Sequence, residues 1–278
     1  MTILKTTLKV TLLLIAIPLI LGSLYYFTKS KREKAEFWFR AQGLFPQGAT
    51  QEQWCFERAL QADPSFAEAW MQKSVSHTKR AQYAEGFRLL NKAVELKPAQ
   101  YLGYRGYVKL YMLHDYDAAI DDFMRLDALT PNVRDAPWGE DIYHVLGLAH
   151  KQKGKLEEAA YFFDKSIELT TQEQGEDWVN VQTFFYNGLV QFQLGDTSQA
   201  LYNLDKALQH SDKFSEAYFH RGLALISLNK RGEACSNFKK SLQLFKTGYV
   251  YNNPYYEIPD QLYLSDIEEA LKLYCEAL

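Results

Sequence analysis

The chain has 278 residues, 47% apolar and 15% aromatic, which is ample for a continuous core and excludes a disordered chain. Its net charge of −3 is uneven: residues 1–34 hold six of the 31 Lys and Arg but one of the 34 Asp and Glu, leaving 25 basic against 33 acidic residues beyond. Such an acidic body argues against binding a phosphate backbone, so no nucleic-acid partner is expected.

The first element is apolar. Val10 to Phe27 runs 18 residues without a charge, long enough to predict a transmembrane helix over about residues 10–27. Pro18 and Gly22 are tolerated in such helices, and Tyr25, Tyr26 and Phe27 suit a membrane interface. Lys5 and Lys9 flank one end; Lys29, Lys31, Arg32 and Lys34 flank the other. Residues 1–34 therefore read as an uncleaved, single-pass N-terminal membrane anchor. The alternative is a cleaved signal peptide, but no A-x-A site follows the run and its aromatic end is a poor cleavage context. Ser23 stands where a lipoprotein box would need Cys. The side of the membrane stays open: the four cations after the span favour a cytoplasmic body, whereas a short basic N-terminal tail favours the opposite.

Residues 35–246 repeat. Phe56, Ala59 and Pro64 mark the end of a first unit, and Trp70, Ser74, Leu90, Ala93 and Pro98 mark the next. Ala119, Phe123 and Pro131 follow. The pattern is clearest in three later copies: Tyr143, Leu146, Gly147 and His150 before Ala159 and Phe163; Phe184, Asn187, Gly188 and Gln191 before Ala200 and Leu204; Tyr218, Arg221, Gly222 and Leu225 before Ala234 and Phe238. Gly and Ala are 12 residues apart in each, and Gly188 to Gly222 is 34. A period of this size predicts stacked helical hairpins that bury their cores on their neighbours. Ala119 to Ala159 and Ala159 to Ala200 are longer steps, which predicts extended connections over residues 132–139 and 172–180, each carrying a Trp, Trp138 and Trp178.

The pattern resembles the tetratricopeptide repeat, in which a small residue on the first helix meets Ala-x3-aromatic on the second. The resemblance implies an all-α, right-handed α-solenoid of about six hairpins, built to bind protein or peptide. It places groove-lining positions on the first helices: Met71, Val75 and Thr78; His144, Leu148 and Lys151; Phe185, Leu189 and Phe192; Phe219, Leu223 and Ile226. Some family members hold the carboxylate tail of chaperones through Lys and Asn. The matching positions here are Phe185, Leu189, Phe219 and Leu223, so that ligand is not expected.

Residues 247–278 differ. An aromatic loop from Gly248 to Pro259 precedes a helix with an apolar face of Ile267, Ala270, Leu271 and Tyr274, a predicted cap for the last repeat. Ser265 and Glu268 have capping-box spacing. The loop tyrosines Tyr249, Tyr251, Tyr255 and Tyr256 offer a second candidate binding patch.

No catalytic motif is present, the six His are scattered, and Cys55, Cys235 and Cys275 lack zinc-ligand spacing. Buried thiols are the simplest reading, with a Cys235–Cys275 disulfide the alternative. Paired acids such as Asp121–Asp122 read as solvated helix faces. Catalysis, metal, cofactor and small-molecule substrate are therefore not expected. The function expected is a non-catalytic, membrane-tethered adaptor or scaffold; the alternative is a structural subunit of a membrane or envelope assembly.

Overall fold

The computed structural model describes residues 26–131 and 133–276, together with Ala16, Ile17, Ile20, Gly22 and Leu24. The predicted span over residues 10–27 lies mostly outside them. Among the described residues no helix is long and apolar enough to cross a membrane. The chain divides into two compact units, the first ending at Tyr101 and the second running from Leu102 to the C-terminus.

The first unit opens with α1 (Lys31–Ala41), begun by a reciprocal capping box between Ser30 and Glu33. It forms a hairpin with α2 (Thr50–Ala62), and α3 (Ala67–Thr78) forms another with α4 (Tyr83–Leu96). Ala35, Ala59, Leu60, Phe66 and Ala69 pack into one core, flanked by Trp38, Phe39 and Trp70. Small residues on both helices let the hairpin close, and the aromatic rings fill the wedge beyond.

The second unit carries four hairpins. They pair α5 (Pro98–Val108) with α6 (Tyr116–Leu129), α7 (Ile142–Gln152) with α8 (Leu156–Gln174), α9 (Val181–Gln193) with α10 (Thr197–His210), and α11 (Ser215–Ser227) with α12 (Arg231–Lys246). The glycines explain the tightness. A Cβ on Gly147 would come within 2.7 Å of the Phe163 ring, and one on Gly222 within 2.5 Å of Phe238. Ala159, Ala200 and Ala234 are fully buried opposite them.

The α5–α6 hairpin breaks the spacing. Gly106 meets Phe123 as its counterparts meet their rings, yet Gly106 to Ala119 is 13 residues where the later repeats have 12. The extra residue is absorbed in a π-helical turn over Lys109–Leu113, closed by His114 in the left-handed region. One inserted residue in a packed helix leaves few alternatives to such a bulge.

Helix α13 (Leu264–Cys275) packs on α12, where Ile267, Ala270 and Leu262 join Phe219, Leu225 and Phe238 in one core. The expected cap is thus in place. Its start differs from the predicted capping box: the Asp266 carboxylate accepts from the Tyr263 N–H, so Ser265 and Glu268 lie inside the first turns. Cys235 and Cys275 are joined by a disulfide, and Cys55 is a buried free thiol. Of the two longer connections, the first folds Trp138 back to 4.5 Å from the Tyr104 ring. The second is a short 3-10 turn that leaves Trp178 70% exposed.

The acid pair on α6 also departs from expectation. Asp121 is solvated, but Asp122 is 1% exposed and sits between two cations. Its carboxylate accepts from Arg105 Nε and Nη2 at 2.8 and 2.6 Å and pairs with Lys109 Nζ at 2.7 Å. Asp122 thereby ties the π turn of α5 to α6.

Candidate functional site

In the second unit the first helices α5, α7, α9 and α11 share one contact partner, the chain's own loop from Gly248 to Leu262. It leaves α12, crosses the groove as far as α5, and returns to α13. The outgoing limb begins at Tyr249, whose hydroxyl accepts from Lys213 Nζ at 3.2 Å. The Tyr251 N–H then donates to Glu216 Oε1 on α11 at 2.7 Å. At the tip, Tyr256 stacks on Tyr111 at 5.1 Å, and its hydroxyl lies 2.7 Å from that of Tyr107. On the return, Tyr186 of α9 donates to the Pro259 carbonyl at 3.0 Å. Lys151 of α7 then grips both oxygens of Asp260 at 2.7 Å, and Gln152 donates to the same carboxylate. Gln261 Nε2 bonds the Tyr251 carbonyl, which holds the two limbs together. Ile258 and Leu262 are the buried apolar side chains of the return limb.

The π turn positions the far end of this site, since Tyr111 lies within it and Tyr107 just before it. Tyr111 donates to Glu140 Oε2 at 2.5 Å. Burial pushes the Tyr111 phenol well above its usual range and raises the Glu140 and Glu216 carboxyls. The groove is therefore tyrosine-rich, it buries the Lys151 cation, and burial disfavours the charged form of Glu140 and Glu216. Beside the outgoing limb, α9, α11 and Gly248–Tyr251 leave an open cleft of about 480 Å³.

Against this geometry the groove positions expected from sequence are largely covered. Met71 and Val75 are buried within the first unit. In the second, His144, Leu148, Phe185, Leu189 and Phe219 are buried, while Phe192 and Leu223 are half-exposed. Phe185 packs on Phe214, Tyr186 and His220, and Phe219 on Phe238, so these rings serve the stack itself. Of the positions that the resemblance marked, Lys151 makes the polar contact with the loop. Tyr107, Tyr111, Tyr186 and Glu216 were missed. Their signal was weak: period alone locates the first helices but does not say which face a returning loop covers. Among the described residues no cluster of His, Cys, Asp and Glu could hold a metal.

His144 gives a pH prediction. It is fully buried, its Nδ1 lies 2.9 Å from Thr183 Oγ1, and burial lowers its pKa from 6.5 to about 4. The unfolded chain therefore takes up the proton first, so the stability this residue confers is complete above about pH 6.5 and is lost as pH falls toward 4. The loss should reach about 2 kcal/mol at pH 5. Glu140 and Glu216, with raised values, act in the opposite sense. The measurement is consequently a difference: between pH 7.5 and 5, a folded His144→Gln variant should lose less melting temperature than wild type. Equal losses would contradict the assignment.

Two segments, residues 140–172 and 215–247, match the tetratricopeptide repeat model, covering α7–α8 and α11–α12. No curated protein sequence matches the chain. Solved structures of similar fold include the APC/C hetero-tetramer Cut9–Hcn1, at TM-score 0.62 and 17% identity over 88% of this chain and 43% of that one. The chain thus spans less than half of that protein. PilW, a widely conserved type IV pilus biogenesis factor, aligns at TM-score 0.58 and 16% identity over 78% of this chain and 92% of that one. YrrB, a tetratricopeptide protein with an unusual peptide-binding site, aligns at TM-score 0.52 and 16% identity over 69% and 93%. The chain carries tetratricopeptide repeats, and its described residues form helices and no strands, a fold suited to protein–protein interaction.

Proposed function

We propose that the protein is a non-catalytic adaptor, tethered to a membrane by its N-terminal segment, that binds a protein or peptide on the concave face of its second unit. The observation that carries this reading is that the face already accommodates polypeptide. Tyr186 and Glu216 address a backbone carbonyl and a backbone N–H, groups that every peptide offers. The YrrB fold, which has a peptide-binding site, is a parallel at the level of fold alone. The acidic body supports a protein partner over nucleic acid.

The uncharged run from Val10 to Phe27 supports the tether. The Cys235–Cys275 bond supports placing the repeats on the extracytoplasmic side, because such bonds persist in oxidising compartments. Two outcomes are expected in native membranes. The protein stays in the pellet after alkaline carbonate, and Cys235 and Cys275 resist thiol reagents until reduced. Release by carbonate would sink the tether, and immediate labelling of both thiols would sink the orientation.

A second reading, a structural subunit of a membrane or envelope assembly, is favoured by one observation. Tyr161, Trp178 and Tyr202 are exposed on α8, its following turn and α10, outside the helices that contact the loop. PilW, a biogenesis factor of an envelope appendage, shares the fold. Cross-linking in native membranes separates the readings. Partner cross-links at Lys213 and the loop favour the groove; cross-links confined to Lys165 on α8 and Lys206 on α10 favour the assembly.

A further inference from the structure

We infer that the Gly248–Leu262 loop is an exchangeable occupant of the concave groove, and that the partner is a peptide bringing a carboxylate to Lys151 and an aromatic ring to the Tyr107–Tyr111 shelf. This deepens the adaptor reading and rests on it. The loop satisfies each feature of the groove in the manner of a ligand. Asp260 neutralises Lys151, whose side chain is 3% exposed and would otherwise be a buried lone cation. Tyr256 fills the shelf, and the backbone of Tyr251 and Pro259 meets Glu216 and Tyr186. The second oxygen of Glu216 is buried and accepts no hydrogen bond from the described residues, a spare acceptor for an incoming N–H.

The loop is also built to leave. It has no helix or strand over residues 249–263, and Asn252, Pro254, Tyr255 and Glu257 are exposed. Its ends are held independently. One continues α12, and the other continues α13, which its own apolar core and the Cys235–Cys275 bond keep on α12. Departure of the loop as far as Gln261 leaves Leu262 in the core of the cap, so the cap stays seated and the last hydrophobic face covered. Gly248, at φ +86, provides a hinge at the first end. The cleft beside the outgoing limb gives a partner a place to begin. A tethered loop acts at an effective concentration of about millimolar, so a competing peptide sees its affinity reduced by the seated fraction.

The test uses a labelled synthetic peptide of residues 249–262 and full-length protein in detergent. It should bind the Tyr256→Ala/Asp260→Asn variant at least about tenfold more tightly than wild type. Adding Lys151→Met should remove that gain. Full helicity in the double variant without tighter peptide binding would overturn the inference. Amide exchange on the wild type gives a reading that needs no variant. The Tyr251 amide should exchange well before those of α9 and α11; exchange only with global unfolding would make the loop a permanent plug. A loop-exchanged dimer of the wild type would replace the peptide with a second copy and overturn the partner assignment. Capture of one membrane partner equally by wild type and double variant would remove the gate but leave the adaptor.

Discussion

Replacing Asp122 with alanine should destabilise the second unit by about 3 kcal/mol, because it removes the buried carboxylate that neutralises the largely covered Arg105 and Lys109. The side chains of Arg105 and Lys109 are only 14% and 15% exposed beside it, so water replaces its two-cation contact incompletely. The damage should be local before it is global. Lys109 starts the π turn, and that turn sets Tyr107 and Tyr111, on which the loop tip rests. Asp122→Ala should therefore lower the melting temperature and also raise amide exchange in α5 and around Tyr256. Arg105→Met together with Asp122→Leu, which removes the bidentate pair, should recover part of the loss. A melting curve unchanged from wild type would show that the triad contributes nothing.

That triad marks where sequence reading stopped. The hairpins were legible because their signal is short-range and periodic: Gly147, Gly188 and Gly222 stand at fixed distances from Ala159, Ala200 and Ala234, and close helix approach demands small residues there. The capping helix was legible for the same reason, through the apolar face of Ile267 and Ala270. Asp122 was not, since an acidic pair on a helix looks the same whether one member faces solvent or a buried Arg 17 residues earlier. Nor was the 13-residue gap from Gly106 to Ala119 read as a π turn. The groove was the hardest part. Its lining follows from helix phase, but its occupant comes from more than 100 residues away, as in the Lys151–Asp260 pair. No periodicity connects those positions. The aromatic positions Phe185 and Phe219 read as an open strip because an apolar first helix looks alike whether it faces a partner, a neighbouring helix or a returning loop.

Ala200→Glu should disrupt the second unit more severely than any change at its surface. Ala200 is 0% exposed and faces the first helix of its own hairpin at Gly188. A Cβ on Gly188 would already lie 3.2 Å from the Ala200 carbonyl and 2.9 Å from Leu204 Cγ, so the two helices leave little room for a longer side chain between them. A carboxylate placed there either stays charged without a partner or takes up a proton and still overfills the space. The expected loss is about 4 kcal/mol or more. Gly188→Leu tests the same contact from the other helix with bulk alone, and about 1–3 kcal/mol is expected from overpacking. The two should rank in that order by thermal melting followed at helical wavelengths. Because repeat units lean on their neighbours, loss of the α9–α10 hairpin should also expose the faces of α8 and α11 that pack on it. Protease cleavage should then appear first between α8 and α11. Unchanged melting in both variants would mean that Gly188 and Ala200 do not face one another, and the repeat phase built on them would have to be redrawn.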